Sequence, residues 1–307
     1  MGMTETIHPK VSAIVVTFRS GFALKECLYA LCVEKDISEI IVVNNGNCPR
    51  DFEWLKTFQT PDHCEYKLVS GQGNIGFAAG VNLGVRESTC ERLLIINPDA
   101  VIRLNSIQQL ESARQSGSSP CLVGGKLIYP SGREQRGGRR ELLTPWRVFV
   151  TYTGLFELER KFPAFRNMHR EHDPEPEGPV AMPVVSGAFC YISREDYERL
   201  NGFDEGYFLH VEDIDLCRRV GKNGGKVIYT PHATAMHYGS TSKVSAFFVE
   251  WNKAKGLARY FTINSTSILG KLLGRASILI FAPTLIVRSA LIRSYLHTRQ
   301  AIREMLR

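Results

Sequence analysis

Residues 202–219 read GFDEGYFLHVEDIDLCRR. This stretch holds three aromatics, five acidic side chains and a change from turn to helix. Gly202 marks the turn, Phe203 an anchor, and Tyr207–Val211 an apolar approach. Glu212-Asp213 then opens a helix whose buried side is Ile214, Leu216, Cys217 and Val220. Acidic residues in a first turn complement the positive end of the helix dipole, which by itself accounts for Glu212, Asp213 and Asp215. The alternative is that one of these carboxylates faces a cleft as a general base. The rest of the chain decides between the two.

Upstream, β-branched runs alternate with helical spacing. Val11–Phe18 (VSAIVVTF) has the composition of a strand buried on both faces, and Ser20–Cys32 follows as a helix. Glu39–Val43 is the second strand and Glu65–Val69 the third; a small-residue helix spans Phe77–Val85, Arg92–Ile96 is a strand and Ser106–Gln115 a helix. Alternation of this kind predicts an α/β fold, with a mostly parallel sheet covered by helices on both faces. Ligands in such sheets lie beyond the carboxyl ends of the strands. Thr17–Arg19, Asn44–Asn47, Gly71–Gly76 and Asn97–Asp99 all fall at such ends.

The middle is less regular. Leu122–Tyr129 reads as a strand, Pro130–Arg140 as a Gly/Arg loop, and Pro145–Lys161 as a helix with aromatics. Pro163–Pro179 is rich in proline and acid and reads as a mobile loop, with His169-x-x-His172 read as two solvated histidines in preference to a metal pair. Val184–Ile192 is a buried strand, and Lys226–Thr230 a short one leading to His232 and His237. A domain of residues 10–240 is therefore expected, followed by a basic helical C-terminal segment, 241–307. Ala276–Val287 is uncharged but shorter than the ~20 residues of a bilayer span. It either packs on the domain or lies on anionic lipid between Arg275, Arg288 and Arg293.

The chain has 307 residues, 44% hydrophobic, with a net charge of +7. A positive excess suits acidic lipid or phosphorylated substrates. No Lys/Arg run interleaved with stacking aromatics occurs, which argues against nucleic acid. The eight cysteines form no CxxC pair, and Cys27, Cys90, Cys190 and Cys217 sit in apolar contexts as small core residues. The opening ten residues are polar, so no secretory leader and a reducing cytoplasm are expected.

Two motifs have competing readings. Gly71–Gly76 fits GxGxxG between a strand and a helix, with Asp99 available as a ribose-binding acid, which describes a nicotinamide-dependent oxidoreductase. Asn97-Pro98-Asp99 is good turn chemistry. It also puts a carboxylate where a divalent ion bound to a diphosphate would sit.

Taken in order, VSAIVVTF, IIVVNN, GNIGFAAGVNLG, LLIINPDA, the run from Ser186 to Arg219, and His237 in AMHYGS resemble glycosyltransferase family 2, and within it the rhamnosyltransferase-like bacterial branch. The resemblance covers residues 11–240. It implies a GT-A fold and inverting transfer of a hexose, rhamnose favoured, from a dTDP- or UDP-linked donor. The implied acceptor is a cell-surface polysaccharide or lipid-linked oligosaccharide at the inner membrane face. By the resemblance, Asp213 of the Glu212-Asp213 pair matches the catalytic base, while Asp99 and His237 match the site for Mg²⁺ or Mn²⁺. Thr17, Phe18, Arg19 and Asn44 match the pocket for base and ribose, and Asn74, Gly76 and Asn82 the nucleotide-side loop and helix. Asn44 and Asn97 stand where the family commonly has Asp, which leaves nucleotide preference open and makes a non-catalytic nucleotide-sugar-binding protein a further alternative. Arg219 is either an extra positive charge at the site or a solvated helix residue, and Pro163–Pro179 a lid over the donor.

Overall fold

The computed structural model describes residues 9–239, 241–242 and 244–305. The polar residues 1–8, the expected boundary residue Ser240, the last two residues of the basic C-terminal run and the side chain of Arg293 lie outside the described residues.

The first half follows the expected alternation: β1 (Val11–Thr17), α1 (Phe22–Val33), β2 (Ile37–Asn44), α2 (Pro49–Thr57), β3 (Glu65–Val69), α3 (Phe77–Glu87), β4 (Arg92–Ile96), β5 (Ala100–Ile102) and α4 (Ser106–Gln115). β3, β2, β1 and β4 pair in that order and all in parallel. Except at the half-exposed edge strand β3, both faces of these strands are buried: Ile14, Val16, Ile41 and Val43 point to one core, Val15, Ile40 and Val42 to the other. That is why they read as unbroken β-branched runs.

Beyond β4 come β6 (Cys121–Ile128), β7 (Arg139–Arg140), α5 (Pro145–Thr153), β8 (Val180–Ala181), β9 (Val184–Val185), β10 (Phe189–Ser193), α6 (Arg194–Arg199), α7 (Glu212–Lys222) and β11 (Lys226–His237). Here the sheet becomes mixed. β10 lies between β4 and β6 and is antiparallel to both, while β11 runs parallel to β6. After β6 the chain first returns to the sheet as β8, paired antiparallel with β11, and β10 then runs back beside β6. The expected single strand Val184–Ile192 is interrupted at 186–188: β9 pairs with β7 in a separate ribbon, and β10 joins the main sheet.

The Pro163–Pro179 segment is a correction to the mobile-loop expectation. Met168 is buried in the main core. The Arg170 side chain bonds Glu159 and Asp173, and the backbone from 168 to 170 bonds Arg139 and Glu141. His172 is exposed, but His169 is largely enclosed. Composition misled because three specific contacts, invisible in a residue count, hold the segment down.

The C-terminal helices are α8 (Ala246–Ile263), α9 (Ile268–Ala276) and α10 (Ile278–Met305). Ala254, Leu257, Tyr260, Ala282 and Leu285 are buried in the same core as Tyr207, Val211 and Leu216. Arg259 bonds both carboxylate oxygens of Asp204, at 2.9 and 2.7 Å. By length and composition the joined stretch Ile268–Ile292 is apolar enough to cross a membrane, with a mean hydropathy of 1.6, longer than the Ala276–Val287 run judged from sequence.

Candidate active site

The carboxyl ends of β1, β2 and β4 open into a cleft of about 840 Å³, closed on the other side by residues 208–214 and by α8. Asp99 and Asp213, far apart in the chain, both line it, together with Asn97, Glu212 and His237.

Asp213 stands in the first turn of α7, entered through two residues in the left-handed region, His210 (φ 68°) and Val211 (φ 76°). Such a conformation is unfavourable for a β-branched valine and is held by its surroundings. Arg140 donates to Asp213 Oδ2 at 2.5 Å, and the Gly187 N–H donates to the same oxygen at 3.0 Å. Any side chain at 187 would put its Cβ 3.0 Å from that of Asp213. The Asp213 Oδ1 accepts from the Ile214 N–H at 2.8 Å. Burial pushes the Asp213 carboxyl up, but the Arg140 charge and these hydrogen bonds outweigh it and hold the group below the usual carboxylate range. Its neighbour Glu212 goes the other way: burial, then the Asp213 charge, raise it well above the ordinary value. Its Oε2 is buried without a partner. Two adjacent carboxyls are thus driven apart, one ionised and one neutral near pH 7.

On the opposite wall, β4 ends in Asn97-Pro98-Asp99. Asp99 Oδ1 lies 3.0 Å from His237 Nε2, and its Oδ2 accepts from Thr241 at 3.0 Å. The Asn97 amide lies 3.3 Å from the same imidazole nitrogen. Gln135 Nε2 donates to the His237 carbonyl at 3.4 Å, which turns Oε1 toward His237 Nδ1 at 2.6 Å. Nδ1 therefore carries a proton. Nε2 is left facing the Asp99 carboxylate, and the two together could hold a cation. Burial raises the Asp99 carboxyl, and the hydrogen bonds from His237 and Thr241 outweigh it, leaving it below its usual value. A carboxylate and an imidazole facing each other suit Mn²⁺, and an oxygen-rich complement from a bound diphosphate also admits Mg²⁺. Among the described residues no group of three or more His, Cys, Asp or Glu could hold a metal alone, so the residues fit an ion shared with a ligand.

Of the expected nucleotide residues, Phe18, Asn74, Gly76 and Asn97 line the cleft. Asn44 does not. Its Oδ1 accepts from the N–H groups of Gly46 and Asn47 at 3.2 and 3.0 Å and so builds the turn; Asn45 is the residue that faces the cleft. Thr17 is fully buried beneath that turn, bonded to Ser20 at 2.9 Å. Arg19 stacks on Phe18, its guanidinium 5.1 Å from the ring centroid. Asn82 is a correction: its side chain bonds Phe203, Tyr197 and Glu205 and so fixes the turn at the start of the 202–219 stretch, away from the cleft. Arg219 is neither solvated nor in the site. It bonds Asp215 at 2.7 Å and the Gly202 carbonyl at 2.8 Å. Gly76 has φ 87°, and a Cβ there would stand 2.6 Å from the Phe208 carbonyl oxygen. The glycine-rich loop thus makes a close approach to the 202–219 stretch.

The family model described as Glycosyl transferase family 2 matches residues 12–200, more than half of the chain.

The chain belongs to glycosyl transferase family 2.

A second model, described as N-terminal domain of galactosyltransferase, matches residues 174–243. An N-acetylglucosaminyl-diphospho-decaprenol L-rhamnosyltransferase of Mycobacterium tuberculosis is 25% identical over 73% of this chain and 75% of its own. Rhamnosyltransferase WbbL of Escherichia coli is 25% identical over 77% of this chain and 86% of its own. Among solved structures, a mannosyltransferase from Pyrobaculum calidifontis in complex with GDP-Man and Mn²⁺ superposes with a TM-score of 0.56 at 16% identity, covering 97% of this chain and 81% of that one. GalNAc-T7 with UDP, GalNAc and Mn²⁺ gives 0.56 at 13% identity, over 89% of this chain and 55% of that one. These likenesses show a shared GT-A-like fold. The family 2 assignment makes the chain a glycosyltransferase and does not favour the nicotinamide reading of Gly71–Gly76.

Three polar residues of this family 2 site were not singled out from sequence: Arg140, Gln135 and Thr241. Arg140 and Gln135 belong to the Gly/Arg loop that read as irregular, and Thr241 to the connection after β11. Their roles exist only through contacts with distant residues.

Proposed function

We propose that this family 2 member is an inverting, divalent-metal-dependent hexosyltransferase. It moves a sugar, rhamnose favoured, from a dTDP- or UDP-linked donor to a saccharide or lipid-linked saccharide acceptor at the cytoplasmic face of the membrane. The observation that carries this reading is that Asp213, ionised by Arg140, faces the same cleft as the Asp99–His237 pair. The rhamnosyltransferase relatives, one of them acting on a diphospho-decaprenol acceptor by its name, support the sugar and the acceptor class.

In this reading Oδ1 of Asp213 takes the proton of the acceptor hydroxyl. The hydroxyl oxygen bonds to the anomeric carbon as the bond to the nucleoside diphosphate breaks on the opposite side, so the centre inverts. Arg140 and the Gly187 N–H keep Oδ2 occupied and the carboxylate oriented. General-base help of this kind is worth ~10²–10⁴-fold. Glu212, held neutral, is not the base. Asp99 and His237 would hold the ion, with Asn97 beside them; when bound there, a divalent ion neutralises charge on the departing diphosphate. Phe18, Asn45, Asn74 and Gly76 would meet the nucleotide.

A panel of nucleotide sugars (dTDP-rhamnose, UDP-glucose, UDP-galactose, UDP-N-acetylglucosamine, GDP-mannose), incubated with Mn²⁺ and followed by mass spectrometry for slow donor hydrolysis, tests the reading without a known acceptor. Hydrolysis of one donor, abolished by chelation, is expected. Thermal stabilisation by NAD and not by any nucleoside diphosphate would overturn it. Binding of a nucleotide sugar without turnover under any condition would leave the non-catalytic alternative in its place.

A further inference from the structure

The C-terminal helices present an apolar surface that the donor cleft does not use. In α10, Ala282 and Leu285 enter the core, at 5% and 2% exposure, whereas Leu279, Ile280, Val287 and Leu291 are 76%, 66%, 56% and 66% exposed. Buried and exposed positions alternate at helical spacing, so α10 lies along the domain with one face in the core and an apolar face outward. On that outer side an open groove of about 630 Å³ runs between Tyr152 of α5 and Pro283, Val287, Leu291 and Ile292 of α10.

The groove leads into the catalytic cleft, because Tyr152 and Arg288 line both. The junction carries one cation more than its carboxylates match. Arg140 is matched by Asp213, Lys253 by Glu250 at 3.0 Å, and Arg136 loosely by Glu171 at 3.8 Å. Arg288 lies over the Tyr152 ring, 5.5 Å from its centroid, and no carboxylate among the described side chains pairs with it. Beside them His169 has a buried Nδ1 without a partner. Burial, and then the charges of Arg136, Arg140, Lys253 and Arg288, hold this imidazole neutral, down to about 2.

We propose that this groove receives the polyprenyl chain of the acceptor lipid and that Arg288, with Arg136, binds the acceptor diphosphate at the entrance to the cleft. The proposal rests on the lipid-linked acceptor reading above and gives it a place. A ligand that needs an apolar trough on an outward face and an anion clamp beside the transfer centre is a lipid diphosphate. An ordinary anionic headgroup satisfies the charge but gives no reason for the trough to run into the cleft. The exposed Leu269, Leu272 and Leu273 of α9, with Lys271 and Arg275 on the same helix, suit the surface of an anionic bilayer from which such a chain would enter.

Co-sedimentation of the full-length protein with phosphatidylcholine vesicles tests this. The vesicles carry undecaprenyl diphosphate, undecaprenol, or phosphatidylglycerol at matched charge. Binding to the diphosphate vesicles is expected to be on the order of tenfold tighter than to either control, the worth of one or two charge-assisted hydrogen bonds. Arg288→Gln should erase that preference, Arg288→Lys should keep most of it, and Val287→Glu should weaken binding to all three. Thermal melts of the variants check that they fold. Equal binding to matched-charge phosphatidylglycerol, or a full preference retained by Arg288→Gln, would overturn the proposal. Donor hydrolysis by the wild type is scored separately. Turnover without lipid preference removes this site and keeps the transferase reading, and preference without turnover does the reverse.

Discussion

Arg140 and Asp213 form a nearly enclosed ion pair, 2.5 Å between Nη2 and Oδ2, with side chains 12% and 13% exposed. Breaking such a pair from one side leaves a charge in a poorly solvated place, at a cost of about 3–5 kcal/mol. The same contact sets the ionisation of the proposed base. Because Arg140 lowers it, Asp213 stays charged until the pH falls below the ordinary carboxylate range. In Arg140→Leu that support is gone and burial dominates, so the acid limb of kcat/KM should move to higher pH. An unmoved limb in a pH–rate profile would mean that Arg140 does not control this carboxylate.

Asp213→Asn keeps the shape and much of the hydrogen bonding but removes the proton acceptor. Turnover should fall by ~10²–10⁴-fold, with donor affinity nearly unchanged. Calorimetric titration of the donor beside single-turnover kinetics separates the two. A near-normal rate would exclude Asp213 as the base. Glu212→Gln replaces a carboxyl already held neutral and should cost far less.

Gln135 touches His237 at both its Nδ1 and its carbonyl. Removing the acceptor in Gln135→Leu frees the imidazole to turn. Outer partners of this kind are typically worth 10–100-fold in metal affinity. Mn²⁺ titration followed by electron paramagnetic resonance should show a loss of that size. Gln135→Glu, which retains an acceptor toward Nδ1, should keep most of the affinity.

His169 predicts an acid-labile stability. Its folded value is pushed down to about 2, by burial first and then by the surrounding cations, while in the unfolded chain it titrates near 6.5. Below pH 6.5 the unfolded state takes up a proton that the folded state refuses, so stability falls as the pH drops and continues to fall toward the folded value. The loss from this residue is about 1.6 kcal/mol between pH 6.5 and 5. His169→Phe should flatten that part of the curve in urea unfolding at the two pH values. The same slope in variant and wild type would assign it to other groups.

Much of the fold was legible because the inner parallel strands are buried on both faces and carry branched apolar runs that little else produces. β3, β4 and α4 lie where spacing put them. The antiparallel β10 was not legible as such, since a buried strand reads the same in either direction. The aspartates and His237 were singled out through the family resemblance, since alone Asn97-Pro98-Asp99 reads as a turn and Glu212-Asp213 as helix-dipole partners; the structure brings them to one cleft. Arg140 and Gln135 were missed because their meaning lies in partners 73 and 102 residues away, and a Gly/Arg loop has no period. Asn44 and Asn82 show the converse. Their place in the family motif implied a ligand, but an amide serves equally well to hold a turn.

The close fit of Gly256 against the backbone before Asp213 bears on how enzymes of this kind can be recombined. A Cβ at 256 would lie 2.9 Å from the His210 carbonyl oxygen and 3.1 Å from a Val211 methyl, the two residues whose backbone is held in the left-handed region. Hybrids made by exchanging terminal helices between relatives would therefore disturb the turn that carries Asp213, unless position 256 and its facing turn are inherited from the same parent.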